Sequence, residues 1–275
     1  MSDDNILIEE DESEKGQWSV ADDIRAEQKA ALSKMSLKGK ILHLWEYYKI
    51  QAIITVAVTA ILIGLISSIA GKRPLIFHAI LINSYIMNDE LITNDFIEFA
   101  ALDTSSHDCF IDTSTVLTAG DMGQYSIATT QRIMAVIMVG DLDVIVSDEY
   151  HFLSCAESEF FADLRTILDE DVLASLAGNI FYIDQAVIEA RNNAEPDFSA
   201  IAKEIAMTEA QIAEMLAEYR KPELMERPMP VGIIIHDSPV FEQMNGYLVG
   251  VPVFGFIANS VRKETAMLFW DYLRE

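Results

Sequence analysis

Residues 51–70 read QAIITVAVTAILIGLISSIA, twenty residues without a single charge. A helix of that length spans about 30 Å, the thickness of a bilayer's hydrocarbon core. A helix buried in a soluble core would normally keep a polar stripe, and this run has none. The stretch therefore predicts a transmembrane helix, and it divides the chain into a short N-terminal part and a C-terminal domain.

The flanks agree with an anchor. Trp45, Tyr47 and Tyr48 precede the run as an interfacial aromatic belt would. Lys29, Lys34, Lys38, Lys40 and Lys49 lie on the N-terminal side, against Lys72 and Arg73 beyond it. The excess of bases puts the N-terminus in the cytoplasm and residues 74–275 outside the cell. A cleaved signal peptide is the competing reading, with Ser68-Ile69-Ala70 as a small-x-small site. Its n-region would be about 50 residues long, and the run exceeds the usual apolar length of a signal. Residues 1–18 form an acidic tail expected to be disordered. Residues 19–50 are expected as a cytoplasmic juxtamembrane helix, a stem continuous with the anchor.

The chain carries 44 acids and 19 bases, a net charge of −25. Such a balance argues against nucleic acid as a partner, because phosphate binding needs a basic surface. Most of the charge lies beyond the anchor, with 33 acids and 12 bases after residue 50. The expected partners are the lipid bilayer and either a small polar ligand or another membrane protein.

After residue 74, apolar runs alternate with helical spacing. Strands are expected at 75–82, 109–117, 142–146, 180–183, 231–235 and 251–257. Helices are expected at 88–102, 126–139, 151–168 and 264–273, with a short turn at 171–176. Thr208 and Gln211 form a capping-box pattern that opens a further helix. Residues 192–198 read as a loop. Helices between short apolar strands point to an α/β domain with a mainly parallel sheet covered on both faces.

Three stretches carry a family likeness: TTQRIMAVIMVGDLDVIVSDEYHF at 129–152, FFADLRTILDEDVLASL at 160–176, and VPVFGFIANSVRKETAMLFWDYLRE at 251–275. Together they resemble the type 2 periplasmic-binding fold of family 1 extracellular solute-binding proteins. The resemblance implies a periplasmic-binding-like domain, here with a reduced second lobe, since only about 200 residues follow the anchor. It also implies a bacterial, Gram-positive surface protein of solute-binding type. The function implied is non-catalytic recognition of a small polar ligand or partner. The alternative is an assembly subunit of a membrane complex that has lost its ligand.

In open α/β sheets ligands bind at the carboxyl ends of strands. The candidates are Ser84 and Tyr85 after the first strand, and Asp148, Glu149 and Tyr150 after the third. Tyr182 and Asp184 follow the fourth, and His236 and Asp237 the fifth. Aromatic rings beside hydrogen-bonding groups suit a polar small molecule. The same residues are also ordinary turn and cap formers. No cofactor is expected. Asp141, Asp143, Asp148 and Glu149 do not match a calcium loop. The five histidines form no zinc pattern, and neither a nucleophile elbow nor a P-loop is present. The chain is thus expected not to be an enzyme. Cys109 and Cys155 are either a disulfide or two separate buried thiols.

Overall fold

The structure is a computed structural model that describes residues 37–70, 73–118, 123–194 and 207–275. The acidic tail, residues 19–36 and part of the 192–198 loop lie outside the described residues. The chain divides into two units, Met1–Lys72 and Arg73–Glu275.

Among the described residues of the first unit, helix α1 (Leu37–Ala70) runs for 34 residues. The stem and the apolar run are continuous over that range. Tyr48–Ser67 has mean hydropathy 2.3 and none of it is buried against protein. Thr55 Oγ1 donates to Gln51 O and Thr59 Oγ1 to Thr55 O, both at 2.8 Å, so these hydroxyls are satisfied within the helix. That is what a low-dielectric surrounding requires of a polar group. By length and composition the helix suits a membrane anchor or a signal sequence.

The second unit is built on six strands: β1 (Leu75–Leu81), β2 (Asp108–Asp112), β3 (Val144–Asp148), β4 (Ile180–Asp184), β5 (Pro228–Ile234) and β6 (Pro252–Phe256). Successive side chains point to opposite faces. Phe77, Ala79 and Leu81 of β1 enter one core with Val144, Val146, Phe254 and Phe256. Ile80, Ile145, Val253 and Phe181 enter the other. Helices α2 (Asp89–Phe99), α8 (Pro239–Met244) and α9 (Lys263–Tyr272) contribute Ile92, Phe96, Val240, Phe241 and Phe269 to the first core, and Val172 and Leu173 of α5 (Glu170–Ser175) pack against it. Helices α3 (Gln124–Met138), α4 (Glu149–Glu157), α6 (Gln185–Asn192) and α7 (Glu209–Glu218) cover the second. The domain is a three-layer α/β structure, with both sheet faces buried.

The sheet order is β2-β1-β3-β6-β5-β4. Only β1/β2 and β1/β3 are parallel, while β3/β6, β6/β5 and β5/β4 are antiparallel. The sheet is therefore mixed rather than mainly parallel. Strands buried on both faces read as continuous apolar runs whatever their direction, so sequence periodicity carries no sign of it. No second sheet forms among the described residues.

Several boundaries move for local reasons. The second strand stops at Asp112 instead of 117, because the Asp112 carboxylate accepts from Ser114 N and Oγ and from Thr115 Oγ1, which folds the chain into a turn. The third strand runs 144–148 instead of 142–146. Asp143 is held beneath it, accepting from His78 N at 2.9 Å. The expected helix 151–168 is cut to α4. Asp148 caps it early, Glu159 takes a left-handed φ of 59°, and Phe161 leaves to bridge Ile257. The capping box at Thr208 and Gln211 forms as expected. Pro228 and Pro230 lie within β5, where it pairs only with β4, so their missing N–H groups break no ladder on the β6 side.

Cys109 and Cys155 are both free thiols. Burial pushes each up to about 12. At pH 8 only about one thiol in ten thousand is then ionised, and the thiolate is the reactive form. A thiol reagent should label both cysteines rapidly in denaturant and neither of them rapidly in the folded chain. Fast native labelling of Cys155 would contradict its burial.

Candidate functional site

Strand directions decide which candidates can meet. β1, β3 and β5 point the same way, and β4 and β6 point the other. The carboxyl ends of β1 and β3 therefore share one end of the sheet with the carboxyl end of β5. There a cleft of about 710 Å³ opens between the β1 and β3 ends, the segment entering β6, and α7. Ser84, Tyr85, Asp148, Glu149 and Tyr150 all line it.

Backbone geometry shapes this cleft. Asn83 adopts φ 57°, and its side-chain Oδ1 accepts from Leu117 N at 2.9 Å, which turns the chain after β1. Ser84 Oγ accepts from Ile86 N and donates to Gly246 O, so this hydroxyl is engaged in the turn. Gly250 has φ 79°, and a Cβ there would come within 3.2 Å of Asp148 Cβ. Tyr85 is half exposed on the rim, and Ile212, Ala213 and Leu216 of α7 supply an apolar wall.

Asp148 is the polar centre. It caps α4, accepting from His151 N at 3.2 Å. His151 Nδ1 lies 3.0 and 2.9 Å from its two oxygens, and Asn83 Nδ2 donates to Oδ2 at 2.9 Å. Burial alone would raise the Asp148 carboxyl. The hydrogen bonds from His151 and Asn83, with the His151 charge, outweigh that and hold it below the usual carboxylate range. An ionised carboxylate only accepts, so the proton of the His151 ring sits on Nδ1. Nδ1 then cannot accept from Asn83 Nδ2, 3.1 Å away. In the neutral ring Nε2 carries the lone pair, and it is buried with no hydrogen-bond partner among the described residues. Glu149 pairs with Arg220 through Nη2 at 2.5 Å and Nε at 3.1 Å.

The remaining candidates lie elsewhere. His236 is exposed and lines a neighbouring cleft of about 350 Å³ that shares Gly250 and Val251 with the first. Asp237 is exposed beside it. Tyr182 and Asp184 are carried to the opposite end of the sheet, because β4 runs against β5. Asp184 is a structural cap. It accepts from the N–H groups of Ala186, Glu226 and Arg227 at 2.8–3.0 Å, which outweigh desolvation and lower its carboxyl. Partial burial raises the Tyr182 phenol.

Sequence reasoning missed Asn83, His151 and the α7 wall. The Asp148-x-x-His151 spacing at a helix start was a usable signal, since i and i+3 share a face. The return of α7 over the β3 end had none. Among the described residues no three His, Cys, Asp or Glu side chains gather to hold a metal ion. No protein-family model, curated protein or solved structure matches this chain.

Proposed function

We propose that this chain is a membrane-anchored recognition protein, with α1 crossing the bilayer, the N-terminus cytoplasmic, and the α/β domain outside as a solute-binding-type module without catalysis. The observation that carries the reading is the convergence of Ser84, Tyr85, Asp148, Glu149 and Tyr150 on one cleft at the carboxyl ends of β1 and β3. Hydrogen-bonding groups around an apolar wall suit a ligand with both polar and apolar parts. The His151 geometry supports binding over catalysis: a base whose free nitrogen is buried offers no surface for a substrate proton.

The test is thermal unfolding of the full chain in detergent against panels of sugars, amino acids, short peptides and divalent cations. A binder at 100 times its Kd adds about 2.7 kcal/mol. Tyr150→Ala should abolish that shift without lowering the ligand-free midpoint by a comparable amount. If no panel member shifts the midpoint, ligand recognition is rejected. Retention of the chain in the membrane after carbonate washing tests the anchor, and its release into the supernatant rejects it.

One observation favours a second reading, an assembly subunit of a membrane complex. Met87, Leu248 and Val249 at the cleft rims are 98%, 64% and 71% exposed. Apolar rims of this kind mark protein interfaces. Co-purification in detergent of one stoichiometric partner, lost in Met87→Asp, would select it.

A further inference from the structure

The cleft at the carboxyl ends of β1 and β3 has a lining that discriminates between ligand classes. The carboxylates of Asp148, Glu149 and Glu209 line it, and among the described residues no lysine or arginine does. Glu149 is met by Arg220, which stands outside the lining. Asp148 has no permanent cation beside it, since its hydrogen-bond partners are Asn83 and His151. Its side chain keeps 18% exposure and borders the cleft. Glu209, the first residue of α7, is exposed.

The side-chain donors of this floor are turned onto the protein. Asn83 Nδ2 donates to Asp148 Oδ2, and Ser84 Oγ donates to Gly246 O. The His151 ring proton sits on Nδ1, against Asp148. A carboxylate or phosphate ligand would be desolvated beside like charge with no cation to meet it. An ammonium group brings the missing donors and the missing positive charge together. The domain's charge works in the same sense: 33 acids against 12 bases after residue 50 give a field that concentrates cations.

The rest of the lining decides between a metal and an organic cation. A hard metal ion wants a shell of six or so oxygens, and among the described residues no three His, Cys, Asp or Glu side chains gather to supply one. Instead Ile212, Ala213, Leu216, Val249 and Val251 give an apolar wall that a hydrated ion cannot use. Tyr85 and Tyr150 add aromatic rings, whose faces attract cations. A cleft of about 710 Å³ has room for a whole small molecule.

We propose that the cleft binds an organic cation, an ammonium group carried on an apolar body, with the nitrogen at Asp148 and the body against the α7 wall. The inference rests on the recognition reading of this cleft and names its ligand class.

The full chain in maltoside detergent is titrated calorimetrically, at neutral pH, with phenethylamine, 2-phenylethanol and 3-phenylpropionate. These share one apolar body and differ in head-group charge, and detergent alone gives the blanks. The amine should bind at least about tenfold more tightly than the alcohol, and the carboxylate more weakly still. Asp148→Asn keeps an oxygen to cap α4 and removes the charge. It should erase the preference for the amine and leave the affinity for the alcohol unchanged. Should that variant fail to fold, Ala213→Lys, at an exposed position of α7, sets a cation on the same wall and should reverse the order of amine and carboxylate. Equal affinities for the three compounds, or a preference for the carboxylate in the unsubstituted chain, overturn the organic-cation class and leave recognition standing. Silence towards all three while a sugar or divalent cation raises the unfolding midpoint does the same. A preference for the amine that survives both substitutions puts the cation elsewhere and overturns the site. Silence towards every compound overturns recognition and the ligand class with it.

Discussion

Asp143→Ala should destabilise the α/β domain by about 3–5 kcal/mol, a large share of the 5–15 kcal/mol that holds most domains folded. Asp143 is fully buried. Its carboxylate accepts from His78 N at 2.9 Å, from Ser260 Oγ at 2.6 Å and from Arg262 Nε at 2.8 Å. These donors come from β1, from the turn after β6 and from the start of α9. One side chain thus joins the beginning of the parallel half of the sheet to the antiparallel strand beside it. Alanine strands the Arg262 guanidinium, only 16% exposed, without its counter-charge. The penalty comes from that orphaned cation more than from the lost attraction, because burying a pair already costs much of what the pairing returns. Arg262→Met on top of Asp143→Ala should accordingly recover part of the loss. Urea unfolding of the full chain in detergent, followed through buried Trp270, measures both. A double variant as unstable as the sum of the two singles would refute the orphaned-charge account.

The same residue shows where the sequence was readable and where it was not. Asp143 looks like the polar half of strand alternation in LDVIV, and nothing local marks it as the hub of contacts more than a hundred residues away. The long apolar helix was legible because its length and lack of charge show in a single contiguous stretch. The six strands were legible as apolar runs, and the Thr208 capping box because both its partners lie within one helical turn. Strand direction was not, since it is set by which strands pair. That one unknown set two of the candidates apart. Ser84, Tyr85, Asp148, Glu149 and Tyr150 follow strands that point alike and meet at one cleft, whereas Tyr182 and Asp184 follow β4, which points away. His151 escaped notice because its role depends on the early start of α4, fixed by the Asp148 cap.

Phe152→Ala should cost about 3–5 kcal/mol, the range for emptying a fully buried aromatic site. Phe152 stacks on Phe161 with centroids 4.2 Å apart and planes 7° apart, and it meets Phe181 edge-on at 5.3 Å. The rings lie against bare backbone. A Cβ on Gly232 would come within 2.5 Å of Phe152 Cζ, and one on Gly255 within 2.5 Å of Phe161 Cδ1. Neighbouring β5 and β6 each present a glycine there because the ring pair occupies the space where side chains would stand. Gly232→Ala alone should therefore cost about 1–3 kcal/mol by overpacking. In the Phe152→Ala background its nearest obstacle is gone, while Val253 Cγ1 at 2.7 Å remains. The double variant should be more stable than the two single losses added together, by an amount that urea titrations resolve. Strict additivity would mean that the ring and the glycine do not share this space. Phe152 also lies one residue after His151, on the helix whose first turn holds the Asp148 carboxylate. The ring pair thus seats α4 on the sheet, and the loss in Phe152→Ala should extend to the cleft, weakening any ligand that Tyr150 contacts before the domain itself unfolds.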